Sequence, residues 1–469
     1  MRKKKIISLA LVLALLVTML AGCGGSKKDD KSGKTTLKLG IWPTEDLAQD
    51  IPMFEGYQKT FEEKYKDVKV EAAPYVYATD TFVSLAESGN CPTIFSSWFT
   101  EPQKLIKQGL VADVTDEMKK RGWLDKMSDY VKDLLTDENG KIYAVPRDAY
   151  ALGLMCNVEL FEKAGLVDEN GVPKFPKTFE ELAQTASTIK KKTGAAGLCL
   201  LAKDNSGGWH FSNIAWNFGA TLVKDNGDGI YTSNLNSKEA VEAMKYVYDL
   251  KWKYDVLTDD PTTEDWGTGF QQLGTGGAAM YIAGNDAVAQ PTQVNGLDVT
   301  KLAMGPIPAG PNGDQYSLTG GTPYMFSKDA TKEEIKAAFD FLEVMGKTPD
   351  VTDTTVKGLE ADAANRKANG VPVIKDFPCW TDEAYSKAKQ DAIDDNKNVD
   401  SKMFDSFFDT VEKEGNPRVE EPGDTQEMYA QLTNVLQAVV TNKDCNIQKL
   451  MDKANENYQK ILDGKFTKK

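Results

Sequence analysis

The sequence predicts an α/β fold, and three observations lead there. Strand-like alternation and helical spacing follow one another along the chain. The first two strand patterns flank a helical stripe, as in a βαβ unit. The length of 469 residues allows two or three domains. Leu37-Lys38-Leu39-Gly40-Ile41 alternates with period two and opens the sheet. Phe54, Tyr57, Phe61 and Tyr65, spaced by three and four, form a helical stripe, and Val68-Lys69-Val70 alternates again. Thr178-Phe179-Glu180-Glu181 and Thr331-Lys332-Glu333-Glu334 both have capping-box form, the second heading a face of Ile335, Ala338, Phe339, Leu342 and Met345. Leu432, Val435, Leu436 and Val439, then Ile447, Leu450, Met451, Ala454, Tyr458 and Ile461, predict two closing helices. There is no internal repeat. Periodicity is weakest over about 347–400, where Thr, Asp, Lys and Asn interrupt it.

The amino terminus reads as an export signal. Arg2-Lys3-Lys4-Lys5 precedes an apolar stretch from Ile6 to Leu20 that is too short for a comfortable membrane span. It closes on Leu20-Ala21-Gly22-Cys23, which resembles the bacterial lipoprotein signal, cleaved before a lipidated cysteine. This makes 1–22 a signal peptide, Cys23 the lipidated residue, and 23–36, rich in Gly, Ser and charge, a flexible tether. The expected location is the outer face of the cell membrane, lipid-anchored.

Composition narrows the chemistry. Hydrophobic residues at 41% and charged residues at 27% exclude a collagen-like, wholly disordered or polytopic membrane chain. Against 70 acidic residues stand 56 basic ones, a formal charge of −14; without residues 1–22, 52 basic side chains leave −18. That is the opposite of a nucleic-acid binder's footprint, so no nucleic acid is expected as partner. One histidine, His210, excludes an HExxH zinc site and any two-histidine metal cluster. No metal or cofactor is therefore expected. Cys91, Cys156, Cys199, Cys379 and Cys445 contain no CxxC, and Cys156 and Cys199 sit in apolar contexts, so few or no disulfides are expected.

Enzyme motifs are missing or fail in context. No GxSxG elbow occurs to pair with His210. Gly274-Thr275-Gly276-Gly277-Ala278-Ala279 fits GxGxxA but lacks a preceding strand, and reads as a turn into Met280-Tyr281-Ile282. Asp225-Asn226-Gly227-Asp228-Gly229 fails the calcium-loop spacing and reads as a turn. A glycosidase needs only two carboxylates, which 70 acidic residues always supply, so a glycoside-active enzyme stays open as the remote alternative.

Five segments in order resemble one family. Gly140-Lys141-Ile142-Tyr143-Ala144-Val145-Pro146, followed by Leu154-Met155-Cys156-Asn157 and Leu160-Phe161-Glu162-Lys163-Ala164-Gly165-Leu166, is similar to the landmark of the extracellular solute-binding proteins of ABC importers, in the group of maltose-binding protein. Pro176-Lys177-Thr178-Phe179-Glu180-Glu181-Leu182, Gly276-Gly277-Ala278-Ala279-Met280 and Gly305-Pro306-Ile307-Pro308 resemble further family segments, while Cys156 stands where the family usually has Tyr. The resemblance implies a two-lobed periplasmic-binding-protein fold of type II, no turnover activity, and hinge closure on a ligand held in the cleft. It places lobe 1 at 37–148 and 300–350 and lobe 2 at 149–299 and 351–469. Its implied partners are a small-molecule ligand and ABC permease subunits in the membrane, the protein itself being a monomer.

Sugar sites combine flat aromatic rings with polar groups able to bond hydroxyls, and this chain has both at strand ends. Trp42 follows the first strand and Trp98 the Ile94-Phe95 strand, while Trp209, His210, Asn213 and Trp216 share a glycine-flanked segment. Asp148 lies beyond the expected first crossing, Asn285 matches a family position facing the cleft, and Gly321 is expected to bring backbone close to ligand. Carbohydrate, in particular an oligosaccharide, is the expected ligand, with a peptide or polyamine as the alternative.

Overall fold

The computed structural model describes residues 34–466 apart from Asp80, Asp228 and Glu414; the expected signal, Cys23 and most of the tether lie outside the described residues. The main sheet is built from β1 (Thr35–Leu39), β2 (Val68–Ala72), β3 (Ile94–Ser96), β4 (Ala144–Asn157), β7 (Met280–Gly284), β8 (Leu302–Gly305), β9 (Ser317–Phe326) and β10 (Pro417–Val419). β5 (Val223–Asp225) and β6 (Tyr231–Ser233) form a separate hairpin, whose loop is the Asp225–Gly229 turn.

The opening βαβ unit forms as read. β1 pairs in parallel with β2, with Leu37 opposite Val70, and the helix Ile51–Lys64 between them buries Phe61 against Phe341. β1 ends where Gly40 passes close to β3: a Cβ there would lie 2.7 Å from the Ile94 carbonyl oxygen, so only glycine admits the approach.

Two long strands run through both lobes. β9 pairs with β3 at Tyr324–Phe326 and with β10 at Ser317–Thr319. β4 pairs with β9 from Ala144 to Ala151, with a register shift between Pro146 and Asp148, and then leaves it to pair with β7 and β8. The period of two along a strand divides the core there. Met155, Tyr281 and Ala283 join the apolar cluster that continues into Leu37, Ile94 and Phe326; Leu154, Cys156, Met280 and Ile282 face a second cluster with Phe211, Trp216 and Leu432.

Two features of the packing bear on the expected division of the chain. β8, expected in lobe 1, pairs with Leu154–Asn157 on the far half of β4, the half that also pairs with β7. Val371, Ile374, Phe377 and Trp380, expected in lobe 2, lie in the cluster that holds Leu37 and Ile94, where Trp380 meets Trp123 edge-on at 6.4 Å; Phe407 instead lies over Gly153 of β4, beside Met304 of β8. These contacts join segments far apart in the chain, which local periodicity could not announce.

Within 347–400 the chain forms two helices, Asp353–Ala368 and Glu383–Asn396. Their shared core is small, Ala363, Val373 and Ala392, with ion pairs such as Lys389–Asp376 (2.5 Å) beside it. Helices that bury so little carry a faint hydrophobic stripe, which explains the weak pattern. The two caps differ as well. At Thr331 the box is complete, its hydroxyl accepting from the Glu334 N–H while Glu334 accepts from the Thr331 N–H. Thr178 caps Glu181, but Glu181 accepts from the Lys177 N–H, one residue earlier than a box requires.

The described cysteines are all free. No described helix is long and apolar enough to cross a membrane.

Candidate functional site

The site is built where β4 and β9 pass between the lobes. At the register shift Arg147 reaches its neighbour, with Nε 2.7 Å from the Asp148 carboxylate. Two residues on, and so on the same strand face, stands Tyr150. Its ring occupies space left by two glycines: a Cβ on Gly320 would lie 2.2 Å from the Tyr150 hydroxyl, and one on Gly284 3.0 Å from its ring. Trp209 meets this ring edge-on with centroids 6.5 Å apart, making an aromatic corner.

Beside the corner, the short turn after β7 supplies Asn285 and Asp286. Asn285 is buried and accepts from the Ala151 N–H at 3.0 Å, while its amide Nδ2 has no partner. Asp286 is solvent-exposed yet crowded by protein, and this burial, followed by repulsion from Asp148, pushes its carboxyl up to about 7. Across the site the segment after β10 brings in Glu420, which accepts from the Tyr429 hydroxyl at 2.7 Å and is pushed by burial up to about 8.

Lobe 1 contributes the stretch after β3. Trp98, 45% exposed, packs edge-on against Tyr77, whose hydroxyl donates to Glu101 at 2.5 Å. Contact between the lobes is direct: Gln426 donates to the Thr100 hydroxyl at 3.4 Å and accepts from Asn205 at 3.0 Å. A groove of about 700 Å3 also runs between Lys104, Lys107, Tyr231, Thr319 and Glu420, bridged by the hydrogen bond from Lys107 to the Tyr231 hydroxyl at 2.9 Å.

The residues singled out in the sequence therefore fall into two sets. Asp148, Trp209 and Asn285 come together around Tyr150, and Trp98 offers an exposed ring on the lobe 1 side. Trp42 is 9% exposed and packs on Phe54. At Gly321 a Cβ would meet the Asp148 carbonyl oxygen at 2.3 Å and the Phe99 ring at 2.7 Å, so strand packing uses that space.

His210, Asn213 and Trp216 have no exposed surface. Asn213 donates to the Tyr316 carbonyl at 2.8 Å, and the His210 Nδ1 accepts from the Leu201 N–H at 3.2 Å, with burial lowering its imidazole to about 3. The glycine-flanked segment is in fact the helix Asp204–Asn217, and its glycines serve helix packing. A Cβ on Gly208 would lie 2.2 Å from the Tyr429 carbonyl oxygen, on the neighbouring helix Thr425–Thr441. Trp209, Asn213 and Trp216 share one stripe, but a helix rises about 1.5 Å per residue, so Trp216 lies about 10 Å further along the axis, inside lobe 2.

Tyr150, Asp286 and Glu420 were not singled out in the sequence. For Tyr150 a signal existed, since it lies two residues from Asp148 on an alternating strand; Asp286 adjoins Asn285. Glu420 is brought in from more than a hundred residues away and carried none. Among the described residues no group of three His, Cys, Asp or Glu is placed to hold a metal ion.

A two-lobed fold joined by two shared strands, with an aromatic corner and hydrogen-bonding side chains at the crossing, is the arrangement of a solute-binding protein. The chain belongs to the family of bacterial extracellular solute-binding proteins, whose profile matches residues 46–350. The arabinooligosaccharide-binding protein of Bacillus subtilis is 23% identical over 367 residues, 72% of this chain and 75% of its own. A maltooligosaccharide ABC transporter solute-binding lipoprotein of Streptococcus pneumoniae is 26% identical over 346 residues, 71% of this chain and 74% of its own. An ABC transporter solute-binding protein of Thermotoga lettingae, solved with α-D-tagatose, superposes with a TM-score of 0.70 at 19% identity, covering 92% of this chain and 100% of that one.

Proposed function

We propose that this protein captures a carbohydrate, in particular an oligosaccharide, outside the cell and delivers it to the permease subunits of an ABC importer. The observation that carries the reading is the Tyr150–Trp209 corner beside Asp148, Arg147 and Asp286. Rings pack against the C–H faces of a sugar while carboxylate and guanidinium groups bond its hydroxyls. The named ligands of the relatives support it.

The first lobe is built on β1, β2, β3 and the halves of β4 and β9 that join them, together with 371–380, and 401–411 packs on β8 of the second. The second takes β7, β8, β10, the remaining halves and the closing helices. Ligand touching both lobes favours closure, since contacts with one lobe alone bind open and closed forms equally. A Cys23 lipid anchor then holds the protein, as a monomer, at the outer face of the membrane.

A polyamine would need carboxylates free to act as counter-ions. Here Glu101 pairs with Lys104 at 2.6 Å and Asp148 with Arg147, while Asp286 and Glu420 are pushed towards the neutral form. Isothermal titration with maltotriose, arabinotriose, raffinose and spermidine tests the reading. Saturable one-site binding of a sugar is expected; binding of spermidine with no response to any sugar overturns it.

A further inference from the structure

A second space lies beside the aromatic corner. A cavity of about 190 Å3 lies between the stretch after β7, which supplies Asp286 from the turn and Ala289 and Gln293 beyond it, and the helix Asp353–Ala368 with the residues after it, which supplies Asn365, Arg366, Asn369 and Val371. Asp286 is a wall of this cavity. Its carboxylate also lies over Gly284, the glycine whose open side receives the Tyr150 ring, so this one side chain stands between the cavity and the corner. The family profile ends at residue 350, so the helix that completes the cavity lies outside the matched part.

The lining says what fits. Arg366 is held by Asp362 at 2.9 Å and by Asp376 at 3.9 Å, and Lys389 closes on Asp376 at 2.5 Å. The strong charges on this side are thus satisfied within the protein, which leaves little to attract an ion. What remains are side-chain amides and the Asp286 carboxyl; Asn365 and Asn369 bond each other, with Nδ2 of Asn369 2.9 Å from Oδ1 of Asn365. Such groups donate and accept to hydroxyls. The volume is below the roughly 300–1,000 Å3 of a drug-sized site, so the cavity takes one ring and not a chain.

We propose that the cavity between Asp286 and the helix Asp353–Ala368 is an accessory subsite for one uncharged sugar ring, reached by the end of an oligosaccharide whose other units lie at Tyr150 and Trp209. The inference rests on the carbohydrate reading above and deepens it: residues after 350 set the ligand length the protein prefers. With its carboxyl pushed up towards the neutral form, Asp286 can donate as well as accept between the cavity and the corner.

The test is isothermal titration of the wild type, Gln293→Ala and Asn369→Ala with maltooligosaccharides and arabinooligosaccharides of increasing length. Both side chains are exposed, so Gln293→Ala keeps the melting temperature of the wild type; Asn369→Ala gives up its Nδ2 bonds to Asn365 at the helix end, so its affinity is read on the folded fraction. Each variant is expected to bind the longest sugar about fivefold more weakly, the loss of one net hydrogen bond, with the shortest binding sugar unaffected. Equal losses at every length, no loss at any, or full affinity for a monosaccharide overturns the subsite and leaves the carbohydrate reading standing. Failure of every sugar, including raffinose, to bind overturns both.

Discussion

Trp216 donates its indole N–H to Glu421 at 2.8 Å, and the Arg418 guanidinium lies over the same ring at 4.4 Å. The bond ties the helix Asp204–Asn217 to the segment after β10. Trp209, seven residues earlier on the same helix, is half-buried and faces Tyr150. One helix thus supplies a tryptophan to the core and another to the site.

Trp216→Ala and Trp209→Ala should therefore fail in opposite ways. Loss of the buried ring costs about 3–5 kcal/mol of stability and leaves Glu421 without its indole donor. Loss of Trp209 costs about 1–3 kcal/mol of sugar affinity and little stability. Urea melts of the ligand-free proteins, paired with titrations of the folded fraction, check both; equal stability losses would place Trp209 in the core as well.

Gly208→Ala sets two effects against each other. Alanine gains about 0.5–1 kcal/mol of helix propensity, but its Cβ would sit 2.2 Å from a backbone oxygen of the neighbouring helix. Backbone cannot swing aside as a side chain can, and overpacking of this kind costs about 1–3 kcal/mol. A net destabilisation of about 1–2 kcal/mol is expected by chemical denaturation.

His210, the sole histidine, gives a single imidazole signal. Buried, and with Nδ1 accepting the Leu201 N–H, it stays neutral with the proton on Nε2. Its NMR resonance should not shift between pH 8 and 5, where an unfolded histidine titrates near 6.5. The folded value is the lower one, so this group's contribution to stability is present above pH 6.5 and lost as pH falls towards 3.

Glu420 has the opposite sign. Its folded value, raised from 4.5 to about 8, means that the native state keeps a proton which the unfolded chain has released. Its contribution to stability falls as pH rises from 4.5 to 8 and is level above that. Glu420→Gln still offers an oxygen to the Tyr429 hydroxyl, and its urea midpoint should fall less than that of the wild type between pH 5 and 8. A parallel fall in both proteins would assign the dependence elsewhere.

Mass spectrometry of the native amino-terminal peptide should find it starting at a lipidated Cys23. An unmodified cysteine, or cleavage elsewhere, would remove the anchor from the proposed function.

Local chemistry by itself determined much of this protein. The alternation of Leu37 and Leu39, the stripe ending in Phe61 and the cap at Thr331 form within a few residues and are legible in the order of side chains. Only the tertiary structure decided which tryptophan reaches Tyr150, because Trp209 and Trp216 lie on one helical stripe and differ only in distance along the axis. It also decided why glycine stands at 208, 284 and 320, since each lies against an atom from a distant segment or strand. The helices within 347–400 stayed faint because their apolar contacts are shared between a small core of their own and lobe 1. Glu420 owes its raised carboxyl to burial by residues far away in the chain, and no local pattern encodes that.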